Sequence, residues 1–214
     1  MLHRLASARF GFAVCVGVSL LMGAPAGAAS VVDEWTSVKA PPPPEVKPVT
    51  ADPKTTALLV LDLVRQGCNE QRRPRCLPTV APVQALLEKA RAAGVPVVYS
   101  LVANSTAADV LKDVAPLGSE PTVTSGTDKF LGTDLDKILR EKGIKTVIVV
   151  GTAAHGAVLT TATAAALRGF SVVVPVDGLS SETPYAEQYT VWNLVNAPVI
   201  APRVTLTKTD TITF

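Results

Sequence analysis

Apolar side chains along this chain come in short unbroken runs. The run at residues 57–61, inside TTALLVLDLV, is stopped by Asp62. Three later stretches, ARAAGVPVVYSLV, LREKGIKTVIVVG and ALRGFSVVVPV, share one form: a helix end with a basic residue, a glycine, then a run rich in valine or isoleucine. Such runs do not alternate with polar residues, which is the mark of strands covered on both faces of a parallel sheet. Gly94, Gly143 and Gly169 stand where a helix needs a left-handed C-terminal residue. Helices are predicted over residues 80–93, 134–142, 154–168 and 182–193. The first carries Val83, Leu86, Leu87 and Ala90 on one stripe. The second has Thr133 as N-cap and Asp136 three residues on, a weaker relative of the capping box. The third is nearly all alanine, threonine and leucine, as befits a helix buried against a sheet. Residues 121–124 read as a strand, and 204–214 alternate as an edge strand does. Helices alternating with buried strands define an α/β fold with right-handed crossovers: an open, mostly parallel sheet covered by helices on both faces, a Rossmann-like three-layer sandwich.

The N-terminus has a different character. His3, Arg4 and Arg9 precede an apolar run over residues 10–22, and the small residues Ala26-Gly27-Ala28-Ala29 follow, so residues 1–29 read as an export signal. The run is too short and glycine-rich for a membrane span, and no later stretch offers about 18 uninterrupted apolar residues. Residues 30–53 hold the tetraproline Pro41-Pro42-Pro43-Pro44 with Pro48 and Pro53, an extended arm that serves as a spacer or as a strap docked through Trp35. Residues 54–214 then suit one α/β domain.

Charge and composition narrow the chemistry. The chain has Lys+Arg 20 against Asp+Glu 18, and Arg4 and Arg9 leave with the signal. A near-neutral mature chain argues against nucleic acid or anionic lipid as partner and for a small molecule. Of the 2 histidines, only His155 survives export, and of the 3 cysteines, Cys68 and Cys76 remain in the loop QGCNEQRRPRC. In an exported protein this pair reads as a disulfide, with a free nucleophilic thiol as the alternative. A His/Cys zinc cluster lacks the ligands it needs.

Ligands of an open parallel sheet bind at the carboxyl ends of its strands, and four such places stand out. Asp62 is a helix cap or a partner of Arg65, or else a partly desolvated general acid/base. The turn Gly151-Thr152-Ala153-Ala154-His155-Gly156-Ala157 opens a helix with small residues, so its amides can hold an oxyanion or carboxylate. It can equally be a plain tight turn. Lys129 in SGTDKF is an active-site cation or a solvated lysine paired to Asp128. Ser180-Ser181-Glu182 reads as a helix N-cap.

Taken together, TTALLVLDLV and FLGTDL…LREKGIKTVIVVGTAAHGAVLTTATAAALRGFSVVVPVDG resemble the isochorismatase-like hydrolases, also called the cysteine hydrolase family. The resemblance covers residues 55–177 and the helix after them. It implies Asp62 as the catalytic aspartate and a homo-oligomer. It departs from the pattern twice. The family's nucleophilic cysteine falls on Ala157, so no thioester can form there. The family's lysine, six residues before the phenylalanine of F-x-G-T, falls on Thr124. Lys129 then stands as a substitute, against the expectation that a strand-end group displaced by five residues points elsewhere. The Asp-x-His element of zinc-binding members is absent from VYSLVANSTAAD, so neither a metal nor another cofactor is expected. The isochorismatases proper resemble this chain in lacking the cysteine and in having Ala-His in the turn; cleaving a vinyl ether needs an acid and a water, not a thiol. The expectation is an exported hydrolase of a small molecule with Asp62 and Lys129 as catalytic residues. Thr124, Ala153, Ala154, His155, Gly156 and Ala157 form its binding site. The alternative is a catalytically silent binding or structural module of the same fold.

Overall fold

The computed structural model describes residues 28–214. The export signal read over residues 1–29 lies, but for its last two residues, outside them. The described residues fall into two units divided between Pro42 and Pro43. In the first, a run of turns occupies residues 31–37, and the Asp33 carboxylate accepts from the Ser30 N–H and hydroxyl at 2.9 and 2.7 Å.

The second unit is the α/β structure. Its strands are β1 (Val49–Thr50), β2 (Thr56–Leu61), β3 (Val97–Leu101), β4 (Thr122–Thr124), β5 (Thr146–Thr152), β6 (Ser171–Pro175), β7 (Leu179–Ser180), β8 (Val204–Thr207) and β9 (Ile212–Thr213). Its α-helices are α1 (Leu77–Ala92), α2 (Leu135–Glu141), α3 (Leu159–Leu167) and α4 (Pro184–Asn196). The main sheet runs β4-β3-β2-β5-β6-β8, with β7 beside the upper end of β5, and every pairing in it is parallel. The unbroken apolar runs have the reason expected of them. Ala57, Leu59, Leu61, Val147 and Val149 pack with Leu135, Leu139, Ala162, Ala165 and Leu194 on one face. Leu58, Val60, Ile148 and Val150 pack with Val83, Leu86, Leu87 and Ala90 on the other. Helix α1 thus covers one face, and α2, α3 and α4 cover the other. Gly94, Gly143 and Gly169 all take positive φ at the helix ends.

Several elements differ from their sequence reading. Helix α1 starts at Leu77, straight out of a 3₁₀ turn Pro74–Cys76, because Pro78 is tolerated in a first turn where its missing N–H has no partner to lose. The helix predicted from residue 154 opens as a π-helical turn, Ala154–Val158, before α3. Helix α4 is capped by Thr183, whose hydroxyl accepts from Ala186 N–H at 3.3 Å, and not by Ser180-Ser181-Glu182; the Ser181 and Glu182 side chains bond elsewhere and the buried Ser180 hydroxyl has no partner among the described residues. Residues 204–214 are not one edge strand. The Asp177 carboxylate accepts from the Thr209 N–H (2.9 Å) and hydroxyl (2.8 Å), and the chain turns there. The edge strand β8 ends at Thr207, and β9 leaves to pair with β1 in a separate parallel two-stranded sheet. The segment before β2 therefore lies along the C-terminal chain, with Lys47 N–H donating to Leu206 O at 2.9 Å and Ala51 N–H to Thr213 O at 2.8 Å.

Candidate active site

The strand order reverses between β2 and β5: β3 and β4 follow on one side, β6 and β8 on the other. At such a switch point the crossovers diverge and leave a crevice beyond the carboxyl ends of the two central strands. Asp62 ends β2, and the turn of residues 152–157 ends β5. Gly151 lets the two ends approach. Its φ is +129°, and a Cβ there would lie 2.0 Å from Leu61 O, so no other residue fits beside the aspartate's own strand.

Asp62 takes φ 53° and turns its carboxylate into the crevice. Ser100, at the end of neighbouring β3, donates from Oγ to Asp62 Oδ1 at 2.8 Å. Lys129 Nζ lies 2.7 Å from Asp62 Oδ2 and donates also to Ser125 O at 3.2 Å. The lysine side chain is 0% exposed and the aspartate side chain 10%. Burial pushes the Asp62 carboxyl up from its ordinary value, against the pull of the Lys129 ammonium, the Ser100 hydroxyl and the Arg73 guanidinium. Neither bland reading of these two residues holds. Arg65 pairs with Asp109 at 3.4 Å, and Asp128 Oδ1 accepts from Phe130 N–H at 2.9 Å.

The displacement argument against Lys129 fails for a physical reason. After β4 the chain does not continue forward but folds back as a knot of short bonds. Ser125 Oγ lies 2.9 Å from the carbonyls of both Asp128 and Leu131, and Thr133 Oγ1 donates to Lys129 O at 2.5 Å. Thr161 on α3 accepts from Lys129 N–H at 3.3 Å and donates to Thr127 O at 3.2 Å. Phe130 anchors the knot by stacking on Phe170, centroids 6.1 Å apart, with the Arg168 guanidinium 4.6 Å above its ring. A loop residue thereby delivers its ammonium to Asp62, while Thr124 lines the crevice.

The crevice is a cavity of about 680 Å³, within the usual range for small-molecule sites. From the expected set, Asp62, Thr124, Ala153, Gly156 and Ala157 line it. Lys129, Ala154 and His155 do not. Ala154 is buried in the core because the π-helical turn points it at the sheet. His155 faces outward, where its Nδ1 lies 2.7 Å from Ser181 Oγ. Ser181 gives its own proton to Glu182 Oε2 (2.8 Å), which assigns the imidazole Nδ1–H as donor to Ser181. In the turn, the amides of Gly156 and Val158 are taken by Ala153 O at 3.0 and 3.2 Å. Leu159 N–H, which opens the following helix, is taken by the carbonyls of Ala154 and Gly156.

Residues missed by sequence reasoning are Ser100, Gln66, Thr127 and the loop arginines Arg72 and Arg73, the last four all lining the cavity. A polar residue closing an otherwise apolar buried strand, as Ser100 closes Val97–Leu101, was the available signal for the first. Cys68 and Cys76 form a disulfide and are both buried, so neither is a free thiol.

A carboxylate held by an ammonium at the switch point of a doubly covered parallel sheet, opposite a turn of small residues, defines a candidate small-molecule site. The chain belongs to the isochorismatase family: the Isochorismatase domain model matches residues 56–204. A secreted isochorismatase effector of Verticillium dahliae is 29% identical over 146 residues, 63% of this chain and 77% of that protein. An N-carbamoylsarcosine amidase of Arthrobacter is 28% identical over 149 residues, 56% of each chain. Among solved structures, a cysteine hydrolase from Pseudomonas syringae pv. phaseolicola shares the fold with TM-score 0.66 at 23% identity, over 79% of this chain and 95% of that one.

Proposed function

We propose that this isochorismatase-family chain is an exported hydrolase of a small molecule that works without a covalent enzyme intermediate. The observation that carries the proposal is Asp62, held by the buried Lys129, on the wall of a ligand-sized cavity where the family's nucleophile position holds only the methyl group of Ala157. Water is then the nucleophile. Toward an amide or ester, Asp62 takes a proton from the attacking water as its oxygen bonds to the carbonyl carbon. The same carboxyl returns that proton to the departing nitrogen or oxygen. Toward a vinyl ether, Asp62 gives its proton to carbon and recovers one from the adding water. Each carboxylate oxygen keeps a lone pair beyond the bonds from Ser100 and Lys129, so the proton has a place to go. The small-residue turn of residues 152–157 on the cavity wall is the place for negative charge on the substrate. Export is supported by the N-terminal pattern, by the buried disulfide and by the secreted relative.

The test is turnover of small ethers, amides and esters by the purified mature chain and by Asp62→Asn. Loss of about 10²- to 10⁴-fold in the variant is expected, and equal turnover removes the aspartate from the mechanism. Ala157 also favours a second reading, a silent binding module. A compound that raises the melting temperature and is recovered unchanged supports it, and detectable product counts against it.

A further inference from the structure

We infer that the substrate carries, besides its scissile bond, a single negative charge, and that Arg72 is the residue that recognises it. The inference deepens the proposed function and rests on the same cavity. Four charged residues stand in or beside that cavity in addition to Arg72, and they cancel in pairs. Asp62 is matched by Lys129 at 2.7 Å. Arg73 is matched by Glu182, which accepts from both Nε and Nη2 of its guanidinium. Arg72 lines the wall, is exposed, and has no ion pair or side-chain hydrogen bond among the described residues. Of the charged side chains on the cavity wall, Arg72 alone is without a partner among the described residues, and a monoanion complements it where a cation does not.

The loop bearing Arg72 is also held in advance. The Cys68–Cys76 disulfide closes it at the base. Asn69 Oδ1 accepts from Gln71 N–H (3.1 Å) and Arg72 N–H (2.8 Å), and Asn69 Nδ2 donates to Arg65 O at 2.8 Å. Arg73 Nη1 donates across the loop to Gly67 O at 3.3 Å, and Arg75 pairs with Glu187 on α4. Of the loop's arginines, Arg73 and Arg75 are paired to carboxylates, and Arg72 alone keeps its planar fork of donors free. Such a fork suits a carboxylate, held bidentate. The substrate class is therefore a small carboxylic acid whose amide, ester or ether bond lies toward Asp62.

The test titrates benzoate and butyrate, and their neutral counterparts benzamide and butyramide, into the mature chain, Arg72→Ala, Arg72→Lys and Asp62→Asn, by calorimetry. Saturable binding of a carboxylate and not of its amide is expected. Arg72→Ala should weaken it about 10- to 100-fold, Arg72→Lys should restore part of it, and Asp62→Asn should keep it. Equal binding of acid and amide, no binding of either acid, or an unchanged Arg72→Ala overturns the inference. Carboxylate binding lost in Arg72→Ala while Asp62→Asn turns over like the parent sinks the mechanism and leaves the inference standing.

Discussion

Asp62 holds two opposed demands in one side chain. Burial raises its proton affinity, and the ammonium 2.7 Å away lowers it. Burial is the larger influence, so the kcat/KM profile for an amide or ester should rise through an apparent pKa above the ordinary carboxylate range. Asp62→Asn should abolish that limb; a limb that survives the substitution assigns it to another group. Lys129→Met separates the two demands. It strands a buried carboxylate, which costs about 3–5 kcal/mol at neutral pH. The sign follows from linkage: with its folded pKa raised further, the lone Asp62 holds a proton more tightly folded than unfolded. Stability is then lost as pH rises through that pKa. Denaturant unfolding should accordingly show the deficit of the variant shrinking from pH 8 toward pH 5. A deficit independent of pH would mean that the carboxylate is not what the lysine stabilises. Asp62 was legible in the sequence because a charge that stops a buried strand stands out. Lys129 was legible as a candidate only, since a single chain shows its distance along the backbone and not the fold-back of the loop through Ser125, Thr133 and Thr161.

At the scale of elements, the site exists because β2 and β5 are neighbours at the point where the sheet changes direction. Gly151→Ala should show how little room that leaves. A Cβ at 2.0 Å from Leu61 O must push the two strand ends apart, so the variant should lose more than about 4 kcal/mol or fail to accumulate folded. Circular dichroism and recovery of soluble protein would read this, and a variant of parental stability would refute the close approach. The other supporting element is the tie from the disulfide loop to the segment after β7. Burial raises the Glu182 carboxyl, but the bonds from Arg73 and Ser181 outweigh it and hold the pKa at about 2 instead of 4.5. A depressed folded pKa contributes stability above the unfolded value and loses it as pH falls through the folded one. The parent should therefore lose melting temperature between pH 4.5 and 2 more steeply than Glu182→Gln. Parallel curves would deny the tie. Patterning predicted the main sheet and its helices, because two-sided burial writes unbroken apolar runs. It missed β7, the β8–β9 break and the outward turn of His155. Each depends on one side chain reaching a distant partner, as Asp177 reaches Thr209 and His155 reaches Ser181.

For the whole molecule, compartment and chemistry meet in the loop between Cys68 and Cys76. A cross-link eight residues apart removes conformational freedom mainly from the unfolded chain, and loop-closure entropy for that span gives about 2–3 kcal/mol. Both sulfurs are buried against α1, so once formed the bond is shielded from solvent thiols. A chain that makes this bond in an oxidising space arrives with Arg72 and Arg73 already placed at the cavity. A chain without the bond holds that loop through Asn69, Arg73–Glu182 and Arg75–Glu187 alone. The double variant Cys68→Ala/Cys76→Ala should thus unfold at lower urea by about that amount and bind carboxylates more weakly, while Asp62, Ser100 and Lys129 stay where they are. Unfolding curves, with mass measured before and after reduction under denaturant, would check it. A gain of two hydrogens is expected for the parent and none for the variant. Equal stability of the two would show that the loop is held by Arg73–Glu182 and Arg75–Glu187 alone, and that export is not needed to set the cavity wall.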